Sequence, residues 1–277
     1  KISISYIVNI IRVVLLFLDF RRFFVNNKFD LSSKVAFVTG AGSGLGRAMA
    51  IALAESGADV GVISRRETLL NETAKEITKI GRRSIVCPAD VTKSEQVISA
   101  VDKIETELGP IDILVNAAGV VNTQHAIDLS EEDWRYILDV NLTGTFLVTK
   151  AIGERMLLRK SGSIINIGTF LGDRGHRFAR SAYNASKAGV VSLSRSLSVE
   201  WGNEGIRVNC ISPGAHRTPM MGEAAFDEKN LEYLRQKTVL GRVGEPEDIT
   251  GLCVFLASDA SSYVTGVNVY EDGGGWL

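Results

Sequence analysis

Cysteine is scarce. Cys87, Cys210 and Cys253 are the three in 277 residues, far apart and without a CxxC pair. This excludes a disulfide-stapled scaffold and suits a reducing compartment, so the expected location is cytoplasmic. With three histidines and no paired Cys/His spacing, a structural zinc site is excluded as well. Excess charge is missing: 31 basic against 32 acidic residues leave a net charge of −1. Non-specific nucleic-acid binding needs a strongly basic face, so no nucleic-acid partner is expected. Proline is limited to five residues, which leaves room for long uninterrupted elements. The 45% apolar and 23% charged content excludes a disordered, collagen-like or coiled-coil chain.

A membrane-spanning run is also lacking. The apolar stretch Ile2–Leu18 is interrupted by Asn9 and Arg12. A spanning helix wants about 20 apolar residues, and an arginine at the bilayer centre costs about 3 kcal/mol. The stretch does not have the order of a cleaved signal. Residues 1–28 read as an apolar extension outside the main domain, and any membrane association is expected through them alone. Arg21, Arg22 and Lys28 behind the stretch would then keep the domain on the cytoplasmic side.

From residue 29 to residue 277 short apolar runs alternate with helical patterns. The runs are Val35–Thr39, Val60–Ser64, Ser84–Cys87, Ile111–Val115, Ser163–Ile167, Arg207–Ile211 and Asn268–Tyr270. The helical patterns are Leu45–Ser56, Glu67–Ile80, Ser94–Leu108, Glu131–Leu158, Ala182–Trp201 and Pro246–Ala257, with Pro246 in a first turn and Gly57, Gly81 and Gly109 at helix ends. Strands apolar throughout belong to a parallel sheet covered on both faces. The pattern predicts an α/β fold: a single doubly wound Rossmann domain with a seven-stranded parallel sheet and helices on both faces. His216–Gly241 is the least regular stretch and reads as a lid or substrate loop.

The first run leads into Thr39-Gly40-Ala41-Gly42-Ser43-Gly44-Leu45-Gly46, which opens a helix. Glycines there permit a tight turn, and the helix N-terminus can take a pyrophosphate. Between a strand and a helix this loop is a dinucleotide signature, with Gly40, Ser43, Gly44, Leu45 and Gly46 as binding residues. The second run ends in Ser64-Arg65-Arg66, where an NAD site carries an acid. With no carboxylate to repel a 2′-phosphate and an arginine fork to clamp one, Ser64 and Arg65 point to NADP(H).

Tyr183 and Lys187 stand four residues apart and share a helix face. An ammonium about 4 Å from a phenol stabilises the phenolate by up to roughly 4 kcal/mol, which draws the tyrosine towards a general acid/base. The pair forms a YxxxK motif in Tyr183-Asn184-Ala185-Ser186-Lys187. With the glycine loop as TGxxxGxG, Asp90-Val91, Asn116-Ala117-Ala118-Gly119, Asn141, Pro213-Gly214, Thr218 and Asp272-Gly273-Gly274, the chain resembles the short-chain dehydrogenase/reductase family over about nine-tenths of its length. The resemblance implies that Asn141, Tyr183 and Lys187 are catalytic. It also implies that the lysine bonds the nicotinamide ribose and that Asp90, Val91, Asn116, Ala117, Gly119, Pro213, Gly214 and Thr218 border the cofactor. Thr169 stands where the family places a serine and keeps the hydroxyl, while the segment to Tyr183 is one residue longer than the family pattern.

The resemblance further implies hydride transfer between NADP(H) and a small-molecule carbonyl or alcohol, in a homotetramer or homodimer. The chain looks most like gluconate 5-dehydrogenases acting on sugar acids and polyols, then like 3-oxoacyl carrier-protein reductases. A catalytically impaired NADP-binding regulator is the reading from another class. Arg174, His176, Arg177 and Arg180 before the tyrosine, with His216 on a second loop, concentrate positive charge and are expected to face an anionic substrate.

Overall fold

The computed structural model describes residues 27–172, 179–222, 227–275 and 277. The readings made on residues 1–26 and on Arg174, His176 and Arg177 lie outside the described residues. Among those described, seven strands form one sheet: β1 (Val35–Thr39), β2 (Asp59–Ser64), β3 (Ser84–Pro88), β4 (Ile113–Asn116), β5 (Gly162–Ile167), β6 (Ile206–Pro213) and β7 (Asn268–Glu271). Every neighbouring pair is parallel, and the order is β3-β2-β1-β4-β5-β6-β7. The chain winds outward from β1 in both directions, which opens a cleft at the carboxyl ends of β1 and β4.

The helices are α1 (Gly44–Glu55), α2 (Glu67–Lys79), α3 (Ser94–Glu107), α4 (Glu131–Leu138), α5 (Gly144–Arg159), α6 (Ser181–Trp201), α7 (Glu228–Gln236) and α8 (Thr250–Ala257). They cover two separate cores. Ala36 and Val38 of β1 point to Met49 and Leu53 of α1, Leu70 and Ile77 of α2, and Leu256 of α8. Val35 and Phe37 point to the other face, against Ile104 of α3, Ile152 and Met156 of α5, and Leu197 of α6. Successive side chains of a strand face opposite ways, so a sheet buried on both faces needs apolar residues at every position. That is why the strands read as unbroken apolar runs. Gly57, Gly81 and Gly109 follow their helices at φ of 110°, 89° and 113°, as the sequence leads one to expect.

Three elements depart from the sequence reading. The single helix expected over Glu131–Leu158 is broken by a π-helical turn, Asp139–Thr143, between α4 and α5. Its periodicity is apolar on both sides, so the widened turn leaves no trace in spacing. Pro246 does not open the last long helix: residues 246–249 form a turn and α8 begins at Thr250. The stretch expected to be irregular contains a 3-10 turn, Pro219–Met221, and helix α7, whose first turn is capped by the Asp227 carboxylate accepting from the Asn230 N–H. No helix among the described residues is long and apolar enough to cross a membrane.

Buried polar groups tie the carboxyl half of the sheet to its helices. Asn116 Nδ2 donates to Thr149 Oγ1 at 2.9 Å and to Asn166 Oδ1 at 2.8 Å. Asn166 Nδ2 donates to Ser194 Oγ at 2.9 Å. Removing one member strands the others in a low-dielectric interior. Asn166→Ala is expected to lower the unfolding free energy by about 2–4 kcal/mol in a urea titration. A loss under about 1 kcal/mol would show that the network contributes nothing.

Candidate active site

The site is assembled at the end of β1. Thr39 is buried, and its hydroxyl accepts from the N–H groups of Ala117 and Ala118 at 3.0 and 3.1 Å. This draws the segment after β4 against the glycine turn. Gly40 has φ of 68°, and a Cβ there would lie 2.8 Å from the Ala117 carbonyl carbon. At Gly46 a Cβ would lie 2.4 Å from the Gly40 oxygen. Both contacts are closer than any side chain allows, so the turn needs glycine. The first turn of α1 holds no acidic residue, and the Ser43 side chain caps no N–H. The positive end of the helix therefore remains open towards an anion.

One cavity of about 900 Å³ runs from this turn to α7. Gly40, Ser43, Gly44, Leu45, Gly46, Ser64, Arg65, Asp90, Val91, Ala117, Gly119, Thr169, Tyr183, Lys187, Pro213, Gly214 and Thr218 all line it. At its β2 end the Ser64 hydroxyl is buried with no partner among the described residues. Arg65 Nη1 donates to the Tyr136 hydroxyl at 3.3 Å, and Arg66 Nη2 donates to Ser43 Oγ at 3.4 Å. Of the arginine pair, the sequence points to Arg65 as the binding residue. The fold brings Arg66 against the glycine turn. Asp90 sits opposite, its Oδ1 accepting from the Thr92 N–H at 2.9 Å and from the Thr92 hydroxyl at 2.8 Å. Burial opposes its charge, but the bonds from Thr92 and the charge of Arg65 hold its carboxyl below the usual range. An orphaned hydroxyl, two arginines and a glycine cradle fit a phosphorylated dinucleotide.

At the other end, Thr169 follows β5, and Tyr183 and Lys187 face it from α6. Lys187 is 4% exposed, and its ammonium donates to the Ile167 carbonyl at 2.7 Å. Burial pulls its pKa down to about 8, with the buried Cys210 thiol acting slightly the other way. Burial also holds the Tyr183 phenol above the ordinary tyrosine range, while a hydrogen bond with Thr169 and the charge of Arg180 oppose that rise. The sequence reading made Lys187 the group that lowers the phenol. In the fold Thr169 and Arg180 act in that direction, the Lys187 ammonium is committed to Ile167, and desolvation wins over all of them.

Asn141 lies in the π-helical turn and is fully buried, behind the cavity wall. Its Oδ1 accepts from the Val120 N–H at 2.8 Å, and its Nδ2 donates to the Val120 carbonyl at 2.9 Å and to Ser186 Oγ at 3.0 Å. A Cβ on Gly119 would lie 3.3 Å from Asn141 Oδ1 and 3.5 Å from Lys187 Nζ, so both side chains border this glycine.

Two expected site residues are placed elsewhere. Asn116 is not on the wall; its amide is turned into the Thr149–Asn166 network. The segment that leaves β4, from Ala117 to Val121, lines the cavity instead. His216 reaches the wall at 4% exposure, but its Nδ1 is 3.2 Å from the Gly214 carbonyl and its Nε2 is 2.9 Å from Glu271 Oε2. Burial alone would lower its pKa; Glu271 more than offsets this and raises it. Both ring nitrogens thus lie against oxygens of the chain itself, Gly214 and Glu271. Arg180 does line the cavity, with its Nε donating to Thr123 Oγ1 at 3.3 Å. Sequence reasoning missed Met220, Met221, Tyr233, Leu234 and Lys237, which wall the cavity from the irregular stretch and α7. The capping aspartate at 227, followed by leucines at 231 and 234, was the available signal.

Comparison with known proteins agrees with this geometry. The family described as Enoyl-(Acyl carrier protein) reductase matches residues 40–275. The chain is 38% identical over 250 residues to 2-dehydro-3-deoxy-D-gluconate 5-dehydrogenase of Escherichia coli (strain K12), covering 90% of this chain and 97% of that protein. It is 40% identical over 255 residues to the enzyme of the same name from Bacillus subtilis (strain 168), covering 92% and 98%. Among solved structures, gluconate 5-dehydrogenase from Burkholderia cenocepacia J2315, in complex with NADP and tartrate, superposes with a TM-score of 0.85 at 33% identity, covering 90% of this chain and 97% of that one. On these matches, which span about nine-tenths of its length, the chain belongs to the short-chain dehydrogenase/reductase family of oxidoreductases acting on CH–OH groups.

Proposed function

We propose that the chain is an NADP(H)-dependent dehydrogenase that interconverts a secondary alcohol and a ketone on a sugar acid or polyol. The observation that carries this reading is the single cavity joining the Ser64-Arg65-Arg66 end to Thr169, Tyr183 and Lys187. The relatives' action on sugar acids, and the NADP bound by the Burkholderia cenocepacia neighbour, support it.

The bound nicotinamide supplies or accepts the hydride; the chain's own residues do the rest. The glycine turn and the first turn of α1 hold the pyrophosphate. Arg65 and Arg66 grip the 2′-phosphate, with Ser64 donating beside them, and Asp90 and Val91 border the adenine. Ala117, Gly119, Pro213, Gly214 and Thr218 pack the nicotinamide half. Thr169 and Tyr183 hydrogen-bond the substrate oxygen, and the phenol passes its proton to that oxygen during reduction. Burial keeps the phenol protonated at neutral pH, which prepares it as an acid. Lys187 holds the nicotinamide ribose. Asn141 positions it through Val120 and Gly119 and supports proton return. Exposed Phe146 and Leu158 on α5 and Val199 on α6 offer apolar surface for the homo-oligomer expected of the family.

Reduction of a keto-aldonate, followed by loss of NADPH absorbance, tests the reading, with NADH as the comparison. Arg65→Ala and Arg66→Ala each remove a charge-assisted bond worth roughly 1.5–3 kcal/mol, so each is expected to weaken NADPH about tenfold to a hundredfold and NADH far less. Equal losses for both cofactors would remove the arginines from the 2′-phosphate. Tyr183→Phe is expected to abolish nearly all turnover while NADPH still binds, and Thr169→Ser to retain more activity than Thr169→Ala. A Phe variant that keeps a substantial rate would mean another group moves the proton.

Lys187 also links function to stability. Its amine is protonated in the unfolded chain up to a pKa near 10.4 but in the folded chain only to about 8. Below pH 8 both states are charged and the full burial cost is present. Between pH 8 and about 10.4 the unfolded state holds the extra proton, so wild-type stability gains as pH rises through that window. Lys187→Met is expected to be more stable than wild type at pH 7 by about 2 kcal/mol, allowing for the lost bond to Ile167, and to lose that advantage by pH 10. Chemical unfolding at the two pH values decides it, and a Met variant less stable at both refutes the buried-charge account.

A further inference from the structure

Arg65 stands at the junction of β2 and α2, and its guanidinium bonds a side chain from outside the cavity wall. Its Nη1 donates to the Tyr136 hydroxyl at 3.3 Å. Tyr136 belongs to α4, 71 residues further along the chain, and does not itself line the cavity. Arg66 turns to Ser43 Oγ instead, at 3.4 Å. The two arginines of the dinucleotide end thus have separate holders, one on the glycine turn and one on α4.

The holder on α4 is firmly placed. The Ser130 hydroxyl caps the start of this helix by accepting from the Asp133 N–H at 3.0 Å. Ile137, next to the tyrosine, is 2% exposed. The π-helical turn that follows is fixed through the bonds of Asn141, and Val140 within it lines the cavity. Arg65, by contrast, is an exposed side chain with a long run of single bonds. Ordering such a chain only when a ligand arrives costs rotamer freedom, and a bond already formed lowers that cost.

The holder is also neutral. Asp90 stands at the same end of the cavity, but its Oδ1 is taken by the N–H and hydroxyl of Thr92, and among the described residues the guanidinium bonds the phenol rather than this acid. Two acids of α4 are engaged within their own helix: Glu131 lies 2.6 Å from Arg135, and Asp133 Oδ2 accepts from Ser130 Oγ at 2.9 Å. An arginine paired with a carboxylate would bring a phosphate up against that second anion. A phenol oxygen accepts one bond and leaves the positive charge whole.

We infer that Tyr136 is a positioning residue for cofactor choice: its hydroxyl holds the Arg65 guanidinium, charge intact, where the 2′-phosphate of NADP(H) docks. It thereby widens the margin by which NADP(H) is preferred to NAD(H). Tyr136 touches Arg65 and not the reacting atoms, so its effect passes through that arginine. This assignment rests on the 2′-phosphate role proposed for Arg65.

The test is equilibrium binding rather than turnover. Dissociation constants of NADPH and NADH, which differ only in the 2′-phosphate, are measured by fluorescence titration for wild type, Tyr136→Phe, Tyr136→Glu, Arg65→Ala and the Arg65→Ala/Tyr136→Phe double variant. Phe keeps the ring and removes the hydroxyl; it is expected to weaken NADPH about threefold to tenfold and NADH by less than about twofold. Glu puts a carboxylate beside Arg65 and is expected to weaken NADPH more than Phe does, again with little change for NADH. Arg65→Ala should weaken NADPH selectively, and adding Tyr136→Phe to it should change NADPH binding by less than about twofold, because the hydroxyl then has nothing to hold. Losses that add in the double variant would give Tyr136 a contact of its own and overturn the positioning role. So would a Phe variant that binds NADPH like wild type or weakens both cofactors alike, and so would a Glu variant no weaker than Phe. Each of these results leaves Arg65 at the 2′-phosphate. Equal losses of NADPH and NADH in Arg65→Ala would overturn the arginine's role and that of Tyr136 with it.

Discussion

The contact between the ends of β1 and β4 governs the rest of this molecule. One threonine hydroxyl, Thr39 Oγ1, accepts from two consecutive backbone N–H groups after β4. That bond draws the Ala117 backbone to within van der Waals reach of Gly40, and Gly46 in turn packs on Gly40. The dinucleotide turn, the floor of the cavity and the path of the loop towards Arg180 all follow from this closure. Strand order makes it possible, because β1 is the one strand with neighbours reached by crossovers in opposite directions.

A second theme is the cost of burying polar groups where chemistry needs them. Lys187 is charged at neutral pH yet almost fully buried, with its ammonium donating to the Ile167 carbonyl. Tyr183 is desolvated too, and its phenol moves up rather than down. Such groups persist because the surrounding sheet and helices are tied by polar bonds that are fully buried, such as those of Asn116, Asn166 and Ser194. Asn141 shows the same economy: a π-helical turn, which packs less well than an α-helical one, aims one amide at Val120 and Ser186.

The sequence by itself determined the architecture. Unbroken apolar runs required a sheet covered on both faces, their alternation with helical patterns required parallel winding, and the TGxxxGxG turn marked a strand-to-helix loop suited to a dinucleotide. The four-residue spacing of Tyr183 and Lys187 fixed a shared face. These are local or periodic features, and local geometry is what spacing encodes. Tertiary structure decided what depends on which face meets which neighbour. It turned Asn116 into the interior and paired His216 with Glu271. It brought Arg66 to Ser43, broke one expected helix at Asn141, and folded α7 over the cavity with Lys237 at its end. It also reversed the direction in which the Tyr183 phenol moves. Desolvation is set by everything packed around a group, and here it outweighs the Thr169 hydrogen bond and the Arg180 charge that oppose it.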